Sequence, residues 1–208
     1  VEAYQKIPAD KREKIFQATI KEFADKGYEQ ASTNQIVQEA DISKGLLFHY
    51  FGNKKGLFLS TFHYSIERVR AAVVPPMEEL SPDFFERQLQ FARLKLQLFM
   101  KHPLEYRFLL TAYDRVPEEV AIEIKQWKET VRGVNHQLMW EGVDFSRFRN
   151  DLPIERLIKW VMVSLEAVGE QWLHRLLVEP DKGLSLLDRS LKDLEEILDI
   201  LKLGVYER

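Results

Sequence analysis

Cysteine is absent from the chain, which removes disulfides, thiolate nucleophiles and cysteine-bound metals from consideration. Histidine is sparse: His49, His63, His102, His136 and His174 are scattered, and none stands beside a plausible nucleophile or metal partner. There is no Gly-rich phosphate loop and no His-Glu-x-x-His. Catalysis, a metal site and a cofactor are therefore not expected. Long apolar runs are missing too: nothing approaches the ~20 residues of a membrane span. The N-terminus lacks the apolar stretch of a signal peptide, so a cytoplasmic location with no membrane partner is expected. Strand-type alternation, internal repeats and low-complexity tracts do not occur. What remains is an ordinary globular composition of 208 residues, 45% hydrophobic and 30% charged, enough for one or two domains with a sizeable core.

Helical periodicity runs through nearly all of it, and the predicted fold class is all-α with about nine helices. Asp10 and Glu13 form a plausible cap for a first helix ending at Gly27, with Ile15, Phe16, Thr19, Ile20, Phe23 and Ala24 on one stripe. Residues 53–74 form a long helix that keeps one apolar face (Leu57, Phe58, Phe62, Ile66, Val69, Val73) until Pro75-Pro76 stops it. At about 22 residues it is roughly 33 Å long. After a polar linker, helices follow over 82–101, 103–113, 118–141, 153–178 and 184–203, with a loop at 142–151.

The stretch that organises the rest is 32–51. Ser32 can cap a short helix over 33–40, with Gln35 completing a capping box. Asp41-Ile42 makes a turn, and Ser43 can cap a second helix to Tyr50. Leu47 and Phe51, four apart, point inward with Ile42. Lys44, Gly45, Leu46, Phe48 and His49 are left largely outside. Two short helices held by one small apolar knot form a helix-turn-helix. Asn53 can cap the helix that follows, whose first turn holds Lys54 and Lys55. Lysines there oppose the helix dipole unless an anion is near, and a phosphate would serve.

These residues resemble the N-terminal signature of TetR-family transcriptional regulators. The resemblance is carried by Gly27-Tyr28, Ser32-Thr33, Ile36-Val37, Ala40-Asp41-Ile42-Ser43, Gly45, Leu47-Phe48-His49-Tyr50-Phe51 and Asn53-Lys54 with Leu57. It covers about residues 10–60. Asp41 departs from it, because the family usually has Gly in that turn; Asp tolerates a left-handed backbone better than most residues but less easily than Gly. The resemblance implies a dimeric DNA-binding repressor.

The major groove admits a helix whose first residues meet base edges. Lys44 can reach guanine O6 and N7, and Gly45 lets the backbone come close. Leu46, Phe48 and His49 can meet thymine methyls or the sugar-phosphate wall, although Phe48 can equally pack in the core and His49 can be merely solvated. Thr33, Tyr50 and Lys54 read as phosphate contacts, and Asn34 sits where family members often touch a base. Lys55 reads as solvated. The charge offers modest help: residues 1–60 hold nine Lys/Arg against eight Asp/Glu, and the remainder 21 against 25, so +1 and −4. Non-specific affinity should be modest, and specific binding needs two reading heads on a palindromic operator.

The expected division is a DNA-binding domain over 1–52 and an effector-binding and dimerisation domain over 53–208, with 53–74 as the connecting helix. Leu187, Leu191, Leu194, Leu198 and Leu201 repeat at intervals of four and three, with Ile197 and Ile200 on a second flank. The 153–178 helix is apolar on more than one side. The two are expected to pair with their copies in a homodimer. An apolar or amphipathic small-molecule effector would occupy a cavity among the aromatic helices. Trp127, Trp160, Glu166 and Glu170 are candidate effector contacts, and His102, His136 and His174 are further polar groups in apolar helices. A helical dimer that binds other proteins and no DNA is the competing reading.

Overall fold

The structure, a computed structural model, describes residues 3–77, 79–114, 116–178 and 183–206, and the side chains of these except 3, 73–77, 114, 130–138, 173, 174, 176–178 and 183–188. Nine α-helices occur among the described residues: α1 (Ala9–Gln30), α2 (Thr33–Glu39), α3 (Lys44–Phe51), α4 (Lys54–Met77), α5 (Phe84–Lys101), α6 (Pro103–Asp114), α7 (Ala121–Trp140), α8 (Ile154–Val178) and α9 (Gly183–Val205). There is no strand among them, and no helix is long and apolar enough to cross a membrane. The all-α expectation holds. Val73 and Leu187, counted above on apolar faces, lie outside the described side chains, as do His136 and His174.

Two helix ends differ from expectation. Asp10 and Glu13 do not cap α1; Pro8 precedes it with no side-chain cap bond, because Glu13 is drawn into a network described below. α4 runs through Pro75 and Pro76 to Met77. Proline already has a helical φ and only lacks the N–H, so two prolines in a last turn end a helix just after themselves rather than before.

The chain divides into two compact units, residues 1–75 with 98–137, and 76–97 with 138–208. The first unit thus extends beyond the helix-turn-helix, because α6 packs along α1. Its core is aromatic. Phe16 stacks on Tyr64 at 4.1 Å between centroids and meets Phe51 edge-on at 5.9 Å, while Phe58 packs edge-on against Phe23 at 5.0 Å and Phe108 at 5.4 Å. Beside this core a polar clamp ties three helices. Arg68 Nη1 donates to both Glu13 oxygens (2.9 and 3.0 Å) and to the Tyr64 hydroxyl (2.7 Å), and Tyr64 donates to Glu13. Arg68 Nε also lies 3.7 Å from the buried Glu105 of α6. Burial and the bond to Glu13 push the Tyr64 phenol up to about 12.

In the second unit Phe84, Phe85, Phe148, Leu157, Val161, Leu194 and Leu198 form the core. Asp83 caps α5 by accepting from the N–H groups of Phe85 (3.1 Å) and Glu86 (3.0 Å), and its other oxygen accepts from Arg147 (2.8 Å) and the Tyr206 hydroxyl (2.9 Å). Arg87, buried one turn into the helix, donates to the carbonyls of Leu80, Ser81, Met139 and Glu141. A guanidinium there satisfies carbonyls that the end of α7 leaves open.

Two outcomes follow. A Cβ on Gly56 would lie 2.1 Å from the Phe51 carbonyl oxygen, a backbone atom that cannot swing away, so Gly56→Ala should cost about 1–3 kcal/mol. Thermal unfolding should show a lowered midpoint, and an unchanged one would mean the α3–α4 junction is looser than described. Asp83 is the second case: burial raises its pKa, but the α5 amides, Tyr206 and nearby cations outweigh that and hold it below its usual value. Its stabilisation is therefore complete above the unfolded value and lost as pH falls through the lower folded one. Asp83→Asn keeps a capping oxygen and removes the charge, so the variant should lose less stability than the parent between neutral pH and pH about 3. Parallel acid limbs in denaturant titrations would contradict this.

Candidate nucleic-acid interface

α2 has seven residues and α3 eight, both below the ~12 at which an isolated helix becomes even marginal. Caps and burial must hold them. Ser32 Oγ accepts from Gln35 N–H at 3.4 Å, Ser43 Oγ from Leu46 N–H at 3.2 Å, and Asn53 Oδ1 from Gly56 N–H at 2.8 Å. All three caps fall where the sequence put them. The return arm of the capping box does not: Ser32 N–H donates to Glu22 of α1 at 2.9 Å, which leaves Gln35 facing outward. That carboxylate, buried from 10 residues upstream, ties α2 to α1 directly.

Asp41 adopts φ +53°, the left-handed conformation that the sequence raised for this turn. Ile42 N–H closes the turn on the Val37 carbonyl at 3.0 Å. Gly52, with φ +74°, ends α3 by donating to the Phe48 carbonyl at 2.8 Å. The helix between these turns has two faces. Leu47 and Phe51 are buried in the aromatic core, with Ile36 of α2 and Ala40 at its C-cap. Lys44, Gly45 and His49 are exposed, and Leu46, Phe48 and Tyr50 are half-buried. Phe48 is not part of the core; the Lys44 ammonium lies 5.9 Å over its ring. His49 meets the Tyr50 ring edge-on at 5.4 Å, and Tyr50 packs against the core.

In α2, Thr33 is half-buried and Asn34 exposed. Lys54 lies half-buried at the start of α4, its ammonium donating to the Glu29 carbonyl at 3.0 Å and resting 5.2 Å over the Tyr28 ring. Two of its three N–H donors stay available. Lys55 is not merely solvated: it pairs with Glu123 at 2.7 Å. An internal carboxylate thus supplies one of the anions that the first turn of α4 called for.

Gly45 is the most informative position. Nothing lies within 4 Å of a Cβ built on it, and its φ is not positive. Glycine inside a helix costs about 0.5–1 kcal/mol relative to alanine, and no atom among the described residues asks for it. Gly56, Glu22 and the Glu29 carbonyl also shape the head and were not singled out from the sequence. Only a Gly at the third position after the Asn53 cap could have hinted at the first.

The candidate effector contacts are differently placed. Trp127 is half-buried in the first unit, its indole N–H donating to His63 Nδ1 at 3.1 Å and its ring edge-on to Phe62 at 5.7 Å. Trp160, Glu166 and Glu170 belong to the second unit, where Trp160 is 61% exposed and both glutamates are exposed. His102 is half-buried, with Nδ1 3.8 Å from Glu105. Among the described residues no cluster of three His, Asp or Glu is placed to hold a metal ion.

Comparison with known proteins agrees with this geometry. The sequence model of the family described as "Bacterial regulatory proteins, tetR family" matches residues 15–61, which span most of α1, all of α2 and α3, and the start of α4. The HTH-type transcriptional repressor AcnR of Corynebacterium efficiens is 25% identical over 203 residues, 95% of this chain and 94% of that protein. The HTH-type transcriptional regulator BetI of Pectobacterium carotovorum is 36% identical over 63 residues, 30% of this chain and 32% of its own length. A TetR family transcriptional regulator from Chloroflexus aurantiacus superposes with a TM-score of 0.61 at 22% identity, covering 100% of this chain and 99% of that one. This last likeness is one of fold. The family and these relatives are transcriptional regulators, not enzymes, and residues 15–61 of this chain carry the helix-turn-helix region of the tetR family.

Proposed function

We propose that this protein is a ligand-responsive repressor that acts in the cytoplasm, binds a palindromic operator as a dimer, and is released by a small apolar or amphipathic effector. Residues 1–52 read the DNA, and 53–208 bind the effector and dimerise, with the 53–74 segment joining the two. Gly45 carries the reading. Its missing side chain answers to no atom of the described residues, whereas a groove wall approaching α3 from outside would require the gap. Around it Lys44 is assigned to guanine, and Leu46, Phe48 and His49 to thymine methyls or the groove wall. Thr33, Tyr50 and Lys54 take phosphates, and Asn34 touches a base.

Dimerisation through α8 and α9 is supported by apolar side chains left uncovered in the single chain. Trp160 and Val163 on α8 and Ile200 and Leu203 on α9 are exposed, the last two at 69% and 76%. Leu194 and Leu198 are buried within the chain, while Ile200, on the second flank noted in the sequence, is not. Apolar surface of this kind marks an interaction site. Repression is supported by the repressor that matches over nearly the whole chain.

Gly45→Ala separates this reading from a purely structural one. The alanine should raise folding stability by about 0.5–1 kcal/mol and weaken binding to DNA selected by the parent protein at least tenfold. Denaturation and binding titrations on the same preparations read both signs. A variant that is more stable and binds DNA equally well would remove α3 from the interface.

A further inference from the structure

Lys54 and Lys55 open α4 side by side, and the chain treats them differently. Lys55 is paired with the Glu123 carboxylate at 2.7 Å, so its charge is met within the protein. Lys54 is held by two uncharged groups. Its ammonium donates to the Glu29 carbonyl at 3.0 Å and lies 5.2 Å over the Tyr28 ring. A carbonyl and an aromatic face fix an ammonium without neutralising it, and the charge stays available to an outside anion.

Both holders come from the end of α1, and Gly27 puts them there. Its φ of +69° and ψ of 175° interrupt the helix, in a region of backbone space that belongs almost wholly to glycine. Beyond that break the Tyr28 ring is buried, stacked on Phe23 at 6.1 Å and edge-on to Phe58 at 5.1 Å. Its hydroxyl donates to Glu119, 91 residues further along the chain. Burial, reinforced by Glu119, raises the phenol pKa, so the hydroxyl stays a neutral donor. Glu119 belongs to the 3-10 turn Glu118–Val120 that leads into α7. Val120 and Ile124, just beyond it, are buried in the same core as Tyr28. The acceptor thus stands on a fixed mount, although its own side chain is exposed.

We propose that Tyr28 and Glu119 are positioning residues for the backbone contact of Lys54, which makes the 118–120 turn part of the DNA-binding machinery. The inference rests on the assignment of Lys54 to a phosphate and names what holds it ready. A lysine ammonium rides on a flexible four-carbon stem, and ordering such a side chain at an interface costs free energy. A ring locked at its hydroxyl holds the ammonium in advance and removes part of that cost. Glu119 acts through Tyr28 and touches no nucleotide.

The test measures the affinity of the full chain for parent-selected duplex over a range of salt concentrations. Lys54→Met keeps the stem and removes the charge; it should weaken binding and flatten the salt dependence by about 0.9 per protomer. Tyr28→Phe and Glu119→Ala each break the hydroxyl tie and should weaken binding about threefold or more. In the Lys54→Met background neither should cost affinity, because the ammonium they position is gone. That coupling separates positioning from a structural role, whose losses would be the same in both backgrounds. Glu119→Ala leaves the core untouched, so it carries the test even where Tyr28→Phe loses its fold. Losses of equal size in both backgrounds, or parent-like binding by Glu119→Ala, overturn the proposal. Binding of Lys54→Met at parent strength and parent salt slope removes the phosphate assignment itself, and a parent that selects no DNA removes the regulator reading.

Discussion

The reading helix depends on one anchorage, the burial of Leu47 and Phe51 in a core whose centre is Phe16. Eight residues cannot hold a helix in water, so α3 exists because these two side chains have somewhere to go. The same Phe16 ring that meets Phe51 stacks on Tyr64 of α4. Next to it, Arg68 of α4 grips Glu13 of α1 and Tyr64 itself. α1, α3 and α4 therefore share one aromatic joint, and α1 and α4 an ionic one beside it, within a single compact unit. A ligand that prefers one tilt of α4 would shift the population of α3 positions by its differential affinity, and by no more. The joint gives such a shift a physical route.

Electrostatics has a smaller role. The first 60 residues are nearly neutral, and their cations are partly occupied: Lys21 pairs with Glu39, Lys55 with Glu123, and Lys54 is steered by Tyr28 and Glu29. A head of this kind gains little from neutralising phosphates indiscriminately. Shape and groove contacts must decide, which agrees with the attention the chain gives to backbone geometry at Asp41, Gly45, Gly52 and Gly56.

The local devices were legible in the sequence. Ser32, Ser43 and Asn53 cap across three residues, Asp41 sits in a turn that demands a left-handed backbone, and Leu47 with Phe51 spans one helical turn. The caps and the Leu47–Phe51 pair depend on spacing alone, while the left-handed turn at Asp41 was implied by the family resemblance. What escaped reading depends on residues far apart in the chain. Glu22 takes the Ser32 amide that Gln35 was expected to satisfy, and Glu123 takes Lys55. Arg87 reaches carbonyls more than 50 residues away, and Gly56 is required by the Phe51 carbonyl rather than by any turn signal.

The central claim is that the exposed side of α3 reads DNA twice, at a fixed separation. Selection from a random pool of duplexes, followed by hydroxyl-radical footprinting of the enriched sequences, tests it most directly. An inverted repeat should emerge, with two protected patches centred about 34–36 Å apart or a multiple of that. A pool that never converges, or a single asymmetric protected patch, would contradict the account.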